Sequence, residues 1–269
     1  MRLLAFPARS STPLKTIESE TVNDSPVPNV TLNVLSLFDH DVDARLPDAP
    51  YTSVLNNAAI NLTKALNIKY PIIQAPMASA ASIELATSVT NAGGLGSLGL
   101  SYYKLENILP DYQKVLSKTN GSFNLNFMTH KEPRSNESKN KKFKESIKKY
   151  FEEYNFNKIP NFSSTCDSFN ENHLELLLQM SPKVVSFHFG LPKRSFLKKI
   201  KEQNIFIISS ATTVEEAIIL ENSGVDAIIA QGYEAGGHRG TFASSYKQGE
   251  IGLFSLLPQV VEATSLPVI

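Results

Sequence analysis

From about Asn67 onward, short apolar runs alternate with amphipathic stretches. The apolar runs read as strands at "PIIQAP" (71–76), "GLGSLGL" (94–100), "FNLNFMT" (123–129), "VVSFHFG" (184–190), "IFIISSA" (205–211) and "AIIAQG" (227–232). Ala227 to Ala230 are apolar without alternation, the pattern of a strand buried on both faces. Helical spacing predicts helices near 82–91, 105–117, 172–180, 193–203 and 214–223. The last opens with Thr213-x-x-Glu216, a capping-box spacing, and closes at Gly224. Six β-α steps in one direction imply an α/β fold with a parallel sheet, and their steady repetition fits a (β/α)8 TIM-type barrel of which about six units are present.

Two segments depart from this rhythm. Residues 1–60 are rich in Pro and Ser and are expected to be an irregular N-terminal extension, with one strand pattern at Val30 to Phe38 flanked by prolines. The partial barrel is expected over 61–269. Within it, 130–170 is too long for a simple βα loop. Its run "NKKFKESIKKYFEEYNF" places Phe143, Ile147, Tyr150, Phe151 and Tyr154 at helical spacing, so an inserted amphipathic helix follows the third strand, where a lid would sit. Its lysines read as a solvated face rather than a nucleic-acid or phosphate site.

Composition narrows the class. Of 269 residues, 42% are hydrophobic and 19% charged, and Lys+Arg equals Asp+Glu at 26 each, so no net field attracts nucleic acid or an anionic membrane. The single Cys166 excludes an intrachain disulfide, and no apolar run approaches the roughly 18 residues that span a bilayer. Arg2, Arg9 and Lys15 precede the first acid, Glu18, in the manner of a mitochondrial presequence. The Pro/Ser-rich tail is the reading preferred, and the cytoplasm the compartment expected.

Barrel chemistry is built at the C-terminal ends of strands and in the loops after them. Those positions here are Gln74, Ala75, Pro76 and Met77, then Asn126, His188 and Gly190, Ser209 and Ser210, and the loop Gln231 to Arg239. The ring holds amides, hydroxyls, glycines and two histidines. It has neither a glycosidase carboxylate pair nor a cluster with metal-ligand spacing. Amides and glycine backbone around an apolar floor suit a planar heteroaromatic cofactor. In "QGYEAGGHRG", Gly232, Gly236, Gly237 and Gly240 permit positive φ and close approach of another body. His238 is either structural or a base, His188 either a core histidine bonded to backbone or a pocket residue, and Arg239 either the partner of Glu234 or an anchor for a carboxylated substrate.

The segments "YPIIQAPMA", "GGLGSLG", "NLNF", "VVSFHFGLP" and "QGYEAGGHRG", in this order, resemble the nitronate monooxygenase family, formerly called 2-nitropropane dioxygenases. The resemblance runs from about Asn67 to Ile269. It implies an FMN-dependent (β/α)8 barrel with a lid domain that oxidises alkyl nitronates with O2 to a carbonyl compound and nitrite. By motif, Gln74, Ala75, Met77, Asn126, Gln231 and Gly236 resemble FMN contacts. His238 resembles the active-site base and His188 the second pocket histidine.

The chain stops at "SLPVI", three residues into the seventh strand by this reading, where family members continue with two turns that cradle the FMN phosphate. The expectation is therefore a C-terminally truncated barrel with unpaired sheet edges, poor solubility and weak flavin retention. Two alternatives stand beside nitronate oxidation: a catalytically silent truncated product, and an FMN-dependent NAD(P)H oxidoreductase of enoyl- or quinone-reductase type.

Overall fold

The computed structural model describes residues 62–269 except 79, 132–135 and 162–165. The N-terminal extension and the strand expected at Val30 to Phe38 lie outside the described residues. In chain order the elements are α1 (Ile83–Asn91), β1 (Gly96–Gly99), α2 (Leu105–Leu116), β2 (Phe123–Met128), α3 (Glu137–Glu153), α4 (Glu171–Met180), β3 (Val184–His188), α5 (Arg194–Glu202), β4 (Phe206–Ala211), α6 (Val214–Asn222), β5 (Ala227–Ala230) and α7 (Leu253–Ala263). All neighbouring strands pair in parallel, in the order β1-β2-β3-β4-β5. A consecutive order without reversal is the wall of a (β/α) barrel; a doubly wound sheet reverses at a switch point.

The expected first strand is reduced to one bridge, Ile73 to Leu95. Leu95 N donates to Ile72 O and Gln74 N to Leu95 O, at 2.9 Å each. Beyond it Pro76 has no N–H to donate to Ser97 O, which accepts from Gln74 Nε2 instead, and on the other side Ile72 N turns to Tyr70 O (2.7 Å), so the ladder does not lengthen. At the opposite edge the strand β5 is not bare. Ile228 N donates to Pro267 O (3.0 Å), Ile269 N to Ile228 O (2.8 Å) and Ala230 N to Ile269 O (2.9 Å). These three bonds correct the expectation that the sixth run of the sequence has lost its neighbour.

Because successive strand residues alternate between faces, the sheet divides two cores. Leu98, Leu125, Phe127, Val185, Phe187, Ile207 and Ile228 face the helices, where they meet Ile108, Val115, Leu177, Ile200, Leu220, Leu256 and Val260. The other parity gives a smaller cluster of Leu95, Val184, Ile208 and Ala227, against which Leu62 and Leu66 pack. Toward the strand C-termini that same face turns polar, through Ser97, Asn124, Asn126, Ser186, His188 and Ser210. The helix α1 lies so close to β1 that a Cβ on Gly96 would overlap the Ala86 carbonyl oxygen.

Two helices differ from the sequence expectation. The inserted α3 begins at Glu137 rather than Asn140, since the Asn136 side chain accepts from Lys139 N (2.9 Å) and caps it. None of its side chains is buried. No element was expected over 253–263, where α7 forms with Pro258 inside it. The bond Pro258 removes would have gone to the carbonyl of Phe254, a residue that is 98% exposed. No helix among the described residues is long and apolar enough to cross a membrane.

Candidate functional site

After Ala230 the chain runs to Leu253 without helix or strand, so its backbone groups must find partners elsewhere. Gln231, the first residue beyond β5, supplies both halves of its amide. Its Nε2 donates to the His238 carbonyl (2.9 Å) and its Oε1 accepts from Gly240 N (2.7 Å). His188, the last residue of β3, donates from Nε2 to the same His238 carbonyl at 2.8 Å. A carbonyl only accepts, so Nε2 carries the proton; the neutral ring then leaves Nδ1 to accept from Ser210 Oγ at 3.1 Å. Gly240 must be glycine for this, since a Cβ there would stand 2.7 Å from His188 Cε1. His188 and Gln231 thus hold the backbone on either side of Arg239, while the His238 side chain is exposed.

Farther along, Phe242, Ala243 and Ser244 donate their N–H groups to Glu216 on α6. The His238 side chain opens on a cavity of about 360 Å³ that is also lined by Phe189, Arg239, Thr241, Ser244 and Tyr246. Phe189 has φ 68°, a left-handed conformation that disfavours a bulky residue. Thr129 Oγ1 lies within hydrogen-bond reach of the His188 and Phe189 carbonyls (3.0 and 3.1 Å) and holds the turn. The turned-out ring meets His238 edge-on, centroids 6.1 Å apart. A cavity of about 650 Å³ along α3, lined by Lys141, Lys144, Lys148 and Glu145, is larger. It is remote in chemistry from these groups, being a solvated charged helix face.

The remaining sequence-expected residues fall into two groups. Gln74, Asn126 and Gln231 use their amides inside the protein. Gln74 pairs with the backbone of Ser97 in both directions (Nε2 to Ser97 O 3.1 Å, Ser97 N to Oε1 3.3 Å). Asn126 Nδ2 donates to Ser186 Oγ at 2.9 Å. Ala75 and Met77 are exposed, and nothing lies within 4 Å of a Cβ built on Gly236. The Arg239–Glu234 pair does not form among the described residues. Glu234 instead accepts from Leu253 N at the start of α7 (3.0 and 3.1 Å), and its own backbone N–H and that of Leu253 hold its carboxyl below the usual range. The Arg239 guanidinium lies over Tyr233 and Tyr246, at 4.7 and 5.5 Å, with Nε and Nη2 buried and unpartnered.

Sequence reasoning missed Asn124, Ser97 and Ser186. Asn124 Nδ2 donates to Ser97 Oγ (3.2 Å) and Ser186 Oγ (2.8 Å), and its Oδ1 is buried without a partner. The signal was present in "FNLNFM", where asparagines two apart in an apolar strand mark a polar lumen face.

A family model described as nitronate monooxygenase matches residues 60–269. A probable nitronate monooxygenase of Staphylococcus aureus is 37% identical over 209 residues, covering 77% of this chain and 59% of its own length. One from Staphylococcus haemolyticus is 36% identical over 211 residues, covering 77% and 58%. Among solved structures, nitroalkane oxidase from Streptomyces ansochromogenes aligns with a TM-score of 0.68 at 34% identity, over 77% of this chain and 59% of that one. FabK from Thermotoga maritima aligns with a TM-score of 0.55 at 23% identity, over 77% and 52%, a likeness of fold alone. The chain thus spans under two thirds of the length of the relatives it matches.

Burial is the main cause that lowers the His188 pKa below the ordinary 6.5; the bond to the His238 carbonyl opposes it, and the neighbouring His238 charge adds to it. A folded-state pKa below the unfolded value means that the unfolded chain takes up the proton first. The His188 contribution is therefore complete above pH 6.5 and is lost as pH falls from 6.5 through the folded value. In an NMR titration the His188 ring should have a midpoint below 6.5, with the proton on Nε2 at neutral pH. A midpoint at or above the ordinary value, or a proton on Nδ1, would contradict the assignment.

Proposed function

The chain belongs to the nitronate monooxygenase family, and from that premise we propose that it carries the flavin and proton-transfer machinery of an enzyme oxidising alkyl nitronates with O2 to a carbonyl compound and nitrite. The observation that carries the reading is the geometry of His238. Its side chain is exposed at the strand C-terminal mouth, while its backbone carbonyl is fixed by Gln231 and His188. An exposed imidazole on a fixed backbone can take a proton from carbon without the loop rearranging.

The residues present fit a flat cofactor. Ala75 and Met77 are exposed just beyond the Ile73 bridge, and Gly236 leaves open space for a close approach in the loop after β5. In this reading Ala75, Met77 and Gly236 contact FMN directly, and Gln74, Asn126 and Gln231 hold the strand ends against which it lies. Bound FMN supplies the electron acceptor that couples substrate oxidation to O2. His238 takes the α proton of a neutral nitroalkane on a ring nitrogen, or holds the nitronate anion once formed. His188, with both nitrogens engaged, steadies the loop instead of sharing in the proton transfer. Phe189, edge-on to His238, forms one wall of the cavity on which His238 opens.

His238→Asn should leave FMN binding intact and keep much of the kcat/KM for a pre-ionised nitronate, which has already lost its α proton. With the neutral nitroalkane kcat/KM should fall by about 10² to 10⁴. Equal losses on both substrates would remove His238 from proton abstraction. Gly236→Ala gives a test free of turnover. Since nothing adjoins that position, stability should change by less than about 0.5 kcal/mol. FMN affinity, read by fluorescence quenching, should weaken at least about tenfold, because the new methyl occupies the approach. Unchanged affinity would place the flavin elsewhere.

A further inference from the structure

Glu216 has no exposed surface and yet meets no cation among its hydrogen-bond partners. Burying a carboxylate without a counter-charge is costly unless hydrogen-bond donors replace its water. Here they do. Oε2 accepts from Thr212 N and Thr212 Oγ1, both at 2.8 Å. Oε1 accepts from three consecutive backbone groups, Phe242 N at 2.7 Å, Ala243 N at 3.0 Å and Ser244 N at 3.4 Å, a small anion nest built by the loop itself. In an ordinary capping box this side chain would return to the N–H of Thr213. One oxygen instead serves the residue before the cap and the other reaches to a different segment.

We propose that Glu216 is a positioning residue that sets the loop carrying His238 for proton transfer; this rests on the reading of His238 given above. Glu216 lines no part of the His238 cavity and touches no reacting atom, so it acts only through the backbone. The linkage is continuous along the chain. Gln231 holds His238 O and Gly240 N. Thr212 Oγ1, having spent its proton on Glu216, accepts from Thr241 Oγ1 at 2.8 Å. Glu216 then holds 242 to 244, and Thr213 Oγ1 lies 3.2 Å from Ser244 Oγ. Thr241 and Ser244 line the cavity with His238, so the anchored stretch is also its wall. Phe242 is fixed from the other side, where it packs close over Gly190.

The test compares Glu216→Gln with the unaltered full chain by amide hydrogen exchange and, with FMN and a nitroalkane supplied, by turnover. The amide NH2 must face donors on one side or the other, so Gly240, Phe242, Ala243 and Ser244 should exchange at least about tenfold faster while β2 and β3 amides stay within about twofold. Turnover should show kcat reduced about 10- to 100-fold with KM within about threefold. Glu216→Asp, with the carboxylate withdrawn by one methylene, should open the same amides less and decides the matter if the Gln chain does not fold. Unchanged exchange at 240–244, or loss of protection throughout the sheet, overturns the proposal. So does an opened loop with unaltered kcat. Absence of turnover in the unaltered chain would count against nitronate oxidation, and the exchange result alone would then decide the role of Glu216.

Discussion

The architecture of the site follows from one constraint: the segment 231–252 has neither helix nor strand, and its backbone N–H and C=O groups still need partners. Part of that need is met by backbone, as where Tyr233 N donates to Ile251 O (2.8 Å), and the stretch around His238 is held by side chains from separate β-α units. Gln231 and His188 hold the stretch from 238 to 240, Glu216 and Thr212 hold 241 to 244, and Glu234 turns back onto Leu253 at the start of α7. Each of those side chains stands at or just beyond an element end. The fold therefore delivers the fasteners, and the fasteners deliver His238. An irregular loop positioned in this way presents an exposed imidazole without the rigidity of a strand beneath it.

The parallel sheet gives these fasteners a common destination. All five strands end at the same side, and their lumen face passes from Leu95, Val184, Ile208 and Ala227 to Ser97, Asn124, Ser186, His188 and Ser210. Leu62 and Leu66 pack against the apolar part of that face. The gradient from apolar to polar decides where chemistry can occur. The polar portion is costly to bury dry unless its groups bond to one another, and most do: Asn124 and Asn126 both converge on Ser186 Oγ.

Much of the fold was legible because each strand is a short run whose helix-facing positions are largely apolar. The expected 123–129, 184–190 and 205–211 became Phe123–Met128, Val184–His188 and Phe206–Ala211. The failures each have a local cause. Pro76 and the turn of Ile72 N to Tyr70 O limit the first run to a bridge, Asn136 moves the start of the inserted helix, and α7 carries a proline within it. The site was less legible, because its bonds join residues far apart in sequence. Thr213-x-x-Glu216 has capping-box spacing, and Thr213 Oγ1 does accept from Glu216 N, but the destination of the carboxylate depends on a loop that local spacing does not reveal. The glycines were read as room for another body. Gly240 is approached by the protein's own His188, and Gly232 by Glu234 and Leu253, whereas Gly236 and Gly237 stay open. The expected pairing of Arg239 with Glu234 failed for a related reason, since unpaired N–H groups at a helix start compete well for a carboxylate.

The central claim is that this arrangement serves nitronate oxidation by O2 rather than reduction by a nicotinamide, and the two differ in what the flavin-loaded protein consumes. The decisive measurement follows oxygen uptake and nitrite release together, with an alkyl nitronate as the only reductant and no NAD(P)H present. The account predicts oxygen uptake with nitrite formed in proportion. Flavin bleaching by NADH or NADPH under anaerobic conditions, with no nitrite formed from the nitronate in air, would contradict it.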